Sequence, residues 1–128
     1  KPLKMQECLA GRLRAAGASY ATVFGSMARG QARPDSDIDV AVSFGKPMSS
    51  DLRMAVLGIV ADVSGRGVDL IDLESADGLI LSRALGGTEI LCDGPATRQR
   101  MIAKVQRSED DRLSAAIAAR AARAGLFA

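Results

Sequence analysis

Between an apolar run ending at Phe24 and another beginning at Ile38, the chain reads Gly25-Ser26-Met27-Ala28-Arg29-Gly30-Gln31-Ala32-Arg33-Pro34-Asp35-Ser36-Asp37-Ile38-Asp39-Val40-Ala41-Val42. No other stretch constrains the fold as strongly. A strand turns successive side chains to opposite faces, so Asp37 and Asp39 share one face, and Ile38, Val40 and Val42 occupy the other. At about 3.3 Å of rise per residue the two aspartate Cα atoms lie roughly 6.6 Å apart, a span that two carboxylates close around a metal ion. The opposite face suits packing against a core. A chance match to Gly-Ser, ten residues and Asp-x-Asp is on the order of 10⁻³ for a chain of this length.

Gly25-Ser26 stands where a strand gives way to a short helical turn. Glycine lets backbone approach a ligand closely, the first turn of a helix directs free N–H groups outward, and the Ser26 hydroxyl adds a donor. Such a bend cradles a triphosphate; the plainer reading is a strand-to-helix turn with Ser26 as its N-cap. Arg29, one turn on, either reaches the same phosphates or is a solvated surface arginine. Asp37 and Asp39 repel each other and gain most by ligating Mg²⁺, which prefers carboxylate oxygens.

A third carboxylate completes the arrangement. Asp69 is the candidate: adjacent strands lie about 4.8 Å apart, and an unpaired carboxylate between Val68 and Leu70 is costly. Asp72 is its rival, but it falls on the opposite strand face, where capping the Glu74 or Ser75 amides is a sufficient task.

These residues resemble the signature of the polymerase-β-type nucleotidyltransferases, and the short chain resembles the minimal nucleotidyltransferase (MNT) family. That resemblance implies an α/β nucleotidyltransferase fold, a small mixed sheet packed against helices. It also implies binding of the β and γ phosphates at Gly25 and Ser26, and catalytic metal ligation by Asp37, Asp39 and Asp69. Two Mg²⁺ ions are expected, with Mn²⁺ an alternative because both suit oxygen ligands. ATP is the expected substrate. In the MNT family the partner is a HEPN-type ribonuclease toxin whose tyrosine is adenylylated, so the resemblance implies a protein adenylyltransferase antitoxin. A small-molecule nucleotidyltransferase of the aminoglycoside type, with an acceptor pocket between subunits of a homo-oligomer, is one competing reading. A non-catalytic module that neutralises a toxin by covering it is the other.

Composition narrows the field further. The 128 residues include no histidine, which excludes His-based catalysis and His-ligated zinc. Only four aromatics occur, so a base-stacking surface is not expected, nor is direct nucleic-acid binding. Cys8 and Cys92 are too few for a disulfide framework. No secretory leader or membrane-length apolar run is visible, which makes the cytoplasm the default compartment and excludes a membrane partner. The formal charge of +2 hides a partition: residues 1–33 carry +5, residues 34–94 carry −7 and residues 95–128 carry +4. An acidic middle repels anionic substrates unless a divalent cation intervenes.

In chain order, Met5, Leu9, Leu13 and Ala16 recur at helical spacing before Gly17. Strands are expected at 18–24 and 37–44, then a helix capped by Ser49 or Ser50 with an apolar stripe from Leu52 to Val63. A third strand spans 68–73, a short helix about 75–85, and an edge strand 88–92. A C-terminal helical segment follows at about 95–124, broken near Ser108. The order α-β-β-α-β-α-β-α describes one domain over residues 1–128.

Overall fold

Alternation along the strands divides the apolar residues between two faces of one sheet, and helices cover both. The computed structural model describes residues 2–25 and 36–123, with side chains for residues 4–25, 36–109 and 115–123. In order, the elements are α1 (Pro2–Ala15), β1 (Tyr20–Phe24), β2 (Ile38–Ser43), α2 (Ser50–Ser64), β3 (Val68–Asp72), α3 (Gly78–Leu85), β4 (Thr88–Cys92) and α4 (Pro95–Arg123). The strands lie in the order β3-β2-β1-β4. β2 pairs with β3 in parallel, and β1 pairs antiparallel with both β2 and β4. A parallel neighbour requires a crossover, and α2 supplies it.

On one face Val23, Ile38, Val40, Val42, Leu70 and Leu91 meet Leu9 and Leu13 of α1 and Val56 and Val60 of α2. On the other face Tyr20, Phe24 and Ala41 meet Leu81 and Ala84 of α3 and Met101 of α4. Aliphatic side chains dominate both layers, as the scarcity of aromatic residues requires. Ser49 caps α2 by accepting the Leu52 N–H at 3.1 Å. The helix ends at Gly65, whose N–H bonds the Ala61 carbonyl at 2.8 Å. Among the described residues no helix is long and apolar enough to cross a membrane.

Two expectations about the helices need correction. The short helix starts at Gly78 rather than near residue 75, because Asp72 ties the preceding residues into a turn. Its carboxylate accepts the Glu74 N–H at 3.0 Å, and its carbonyl accepts the Ser75 and Ala76 N–H groups at 3.1 and 3.0 Å. The C-terminal helix is continuous through Ser108. There the Ser108 hydroxyl turns toward α3 and accepts the Gly78 N–H, one of the unpaired donors of that helix's first turn, instead of competing for its own backbone.

Ion pairs fix the start of α4. Arg98 grips Glu89 of β4 at 3.0 and 2.6 Å. Arg100 grips Glu74, which follows β3, at 3.0 and 2.8 Å, and Glu74 also accepts from the Ser43 hydroxyl. The Arg100 hydrogen bonds above all, with help from Ser43, hold the Glu74 carboxyl below its ordinary pKa despite the opposing effect of burial. A carboxyl depressed in the folded state stabilises the fold above its unfolded pKa, and that contribution disappears as pH falls through the folded value. Glu74→Gln is therefore expected to lower stability at pH 7 by about 1–2 kcal/mol and to flatten the acid limb of a Tm-versus-pH curve. Identical curves for variant and parent would contradict this role.

Candidate active site

The parallel ladder between β2 and β3 aligns Ile38 with Val68, Asp39 with Asp69 and Val40 with Leu70. Aligned residues of neighbouring strands turn to the same face about 4.8 Å apart. Asp39 and Asp69 therefore stand side by side, with their carboxyl groups within hydrogen-bonding reach of each other. They share the face of Ala41, the one that α3 and α4 cover farther along the sheet.

Asp37 lies on this face two residues before Asp39. The Ile38 N–H bonds the Gly67 carbonyl at 2.9 Å, which sets Asp37 beside Gly67. The carboxylate leans over that glycine so closely that a methyl group on Gly67 would come within 2.3 Å of Asp37 Oδ1. Gly25 plays the same part for Asp39. It adopts φ +70°, and a Cβ there would sit 2.1 Å from Asp39 Oδ2. The glycine expected to admit a ligand thus also makes room for an acid. Phe24, nearly buried, is the cross-strand neighbour of Asp39 and walls its other side.

This setting raises the Asp39 pKa. Partial burial is the largest cause, followed by the negative charge of Asp69 and the hydrogen bond to it; Asp37 adds to the rise and Arg83 of α3 opposes it. Asp72 is elsewhere, accepting from the Met48 N–H at 2.9 Å and the Ser75 hydroxyl at 3.0 Å. Among the described residues no group of three or more acidic or sulfur side chains is drawn together as a metal cage; the close contact is the Asp39–Asp69 pair. Ser26 and Arg29 lie outside the described residues.

Two participants carry no recognisable local signal in the sequence. Gly67 follows the Leu52–Val63 stripe, where a glycine suggests only the end of a helix, yet it precedes Asp69 by two residues as Asp37 precedes Asp39, and parallel pairing sets the two opposite each other. Arg83 lies 44 positions beyond Asp39, and no local pattern links them.

Residues 14–95 match the sequence profile of the family described as polymerase beta, nucleotidyltransferase. The chain belongs to the polymerase-β nucleotidyltransferase family. A comparison with curated proteins finds no match. Among solved structures, the nucleotidyltransferase chain is similar to one from a toxin–antitoxin crystallised with AMP-PNP, with a TM-score of 0.73 and 20% identity over 96% of this chain and 98% of that one. It is similar to a chain of the toxin–antitoxin MntA-HepT, with a TM-score of 0.67 and 18% identity over 98% of both. A third similar chain comes from the tri-AMPylated Shewanella oneidensis HEPN toxin in complex with MNT antitoxin, at a TM-score of 0.62 and 17% identity over 96% of this chain and 99% of that one. At these identities the likeness is one of fold, and it agrees with the expected nucleotidyltransferase architecture.

The acid row and its two glycines make opposite predictions for stability. In ion-free buffer at pH 7, Asp39→Asn removes a repelled charge and is expected to raise stability by up to about 1 kcal/mol. Gly25→Ala forces a side chain into a left-handed backbone and into the Asp39 carboxylate, and is expected to lower it by about 1–3 kcal/mol. Urea melts of the two variants check both signs. A destabilised Asp39→Asn would show that the pair is not held under repulsion.

Proposed function

We propose that the chain is a Mg²⁺-dependent nucleotidyltransferase that moves AMP from ATP to a tyrosine of a HEPN-type toxin. The observation that carries this reading is the in-register Asp39–Asp69 pair with Asp37 two residues away on the same face. Like charges held together, one with its pKa raised, and a donor set made only of carboxylate oxygens fit a hard divalent cation. Asp37, Asp39 and Asp69 would hold the ion, Mg²⁺ or Mn²⁺. When bound, it neutralises charge on the phosphates and on the attacking and leaving oxygens.

The remaining work falls to the chain's own groups. Gly25 and Ser26 receive the β and γ phosphates on backbone N–H groups and the serine hydroxyl. Arg29 is assigned to the same phosphates. Phe24 keeps water from one side of Asp39. The tyrosine oxygen attacks the α-phosphorus, the bond to the bridging oxygen of the β-phosphate breaks, and pyrophosphate departs. Asp69 accepts the phenolic proton. Rate acceleration comes from positioning and electrostatics, with no covalent enzyme intermediate.

The acceptor assignment draws support from the near-complete overlap with chains of toxin–antitoxin assemblies, one of them containing a tri-AMPylated HEPN toxin. The test is incubation with Mg²⁺ and α-labelled ATP, with and without the protein encoded next to this one. Label is expected on that protein, and Asp39→Ala is expected to reduce it by at least about 10²-fold. Label that persists in the variant would refute the mechanism. A tight complex without label would favour the covering module, and label on an aminoglycoside would favour the small-molecule enzyme.

A further inference from the structure

Arg83 belongs to α3, whose placement on the sheet is closely fixed. Leu81 and Ala84 are fully buried against the sheet, and the Thr22 hydroxyl of β1 donates to the Ala84 carbonyl at 2.7 Å. Just past the helix, Gly87 presses on the end of β1, where an added methyl would meet the Val23 carbonyl at 2.4 Å and Phe24 Cβ at 2.6 Å. The C-terminal turn of α3 is thus clamped beside Phe24, the neighbour of Asp39 in the ladder.

Within that turn Ser82 faces α4, bonding Glu109 at 3.4 Å. At about 100° per residue, Arg83 points to a different flank from Ser82, shared with Leu79 and Ile80 one turn back. Both of those side chains are exposed and aliphatic, so neither offers the guanidinium an acceptor. Among the described residues Arg83 makes no ion pair, although its charge reaches Asp39. A fixed helix therefore presents, beside the acidic row, a guanidinium that makes no ion pair among the described residues. Its planar fork matches phosphate oxygens in two parallel hydrogen bonds, which a lysine does not reproduce.

We infer that Arg83 is a substrate-binding residue that contacts the polyphosphate of the nucleotide from the α3 side of the acid row. This assignment rests on the nucleotidyltransferase reading above, and it adds a cation that motif reading does not find. It also predicts an unusual sign pattern. Arg83 repels a free divalent ion at Asp39 and attracts a polyphosphate, so its removal should move the two affinities in opposite directions.

Calorimetric titration of the full chain with Mn²⁺ alone and with Mg²⁺-tripolyphosphate tests this. Arg83→Gln is expected to bind Mn²⁺ as well as the parent or better, and tripolyphosphate about tenfold or more weakly. Arg83→Lys should recover part of the loss. Arg120→Gln, the same charge change on the exposed end of α4, should alter neither. Unchanged tripolyphosphate affinity in Arg83→Gln would overturn the inference, and so would a parallel loss of both ligands, which marks structural damage. A parent chain that binds neither tripolyphosphate nor ATP with either ion would overturn the nucleotidyltransferase reading itself, and this assignment with it.

Discussion

Everything distinctive about this molecule follows from two carboxyl groups held on one rung of a parallel ladder, on adjacent strands. Asp39 and Asp69 repel each other, and an isolated pair of strands would relieve the repulsion by slipping register. A slip of one residue, however, would turn Ile38, Val40 and Leu70 out of the core shared with α1 and α2. Apolar burial on one face thus enforces the electrostatic conflict on the other. The conflict is local, because a dry and fully packed setting would simply drive one group to its neutral form.

The two faces of the sheet therefore have separate tasks. One carries an uninterrupted aliphatic layer, from Val23 across Val40 to Leu70, and supplies stability. The other is closed over Tyr20 and Ala41 by α3 and α4, while the row from Phe24 through Asp39 to Asp69 lies along it. Gly25 and Gly67 complete this division by leaving space for carboxylates where any other residue would place a Cβ. The same two positions thus serve backbone geometry and site geometry together.

Much of this was legible in the chain because the relevant signals are short-range. Alternation around Ile38–Val42 sets the faces of β2, the stripe from Leu52 to Val63 marks the crossover helix, and a crossover implies parallel neighbours. From those three facts Asp69 falls beside Asp39. Strand parity separates Asp72 from Asp69, and the Asp72 carboxylate engages the Glu74 amide, as turn chemistry suggests. What was not legible depends on tertiary packing. The start of α3 is hidden because helical propensity from residue 75 gives way to a turn organised by Asp72. The continuity of α4 through Ser108 depends on a hydroxyl satisfied by a different helix. Arg83 has meaning only once Thr22 and Gly87 have fixed where α3 ends.

The proposed role of the Asp39–Asp69 pair is to seat a divalent ion. The most direct measurement is anomalous diffraction from crystals soaked in Mn²⁺ with a non-hydrolysable ATP analogue. A peak bridging the Asp39 and Asp69 carboxylates, within reach of Asp37 and the nucleotide phosphates, is the predicted result. Nucleotide bound with no manganese at these carboxylates, or manganese bound only elsewhere on the chain, would contradict it.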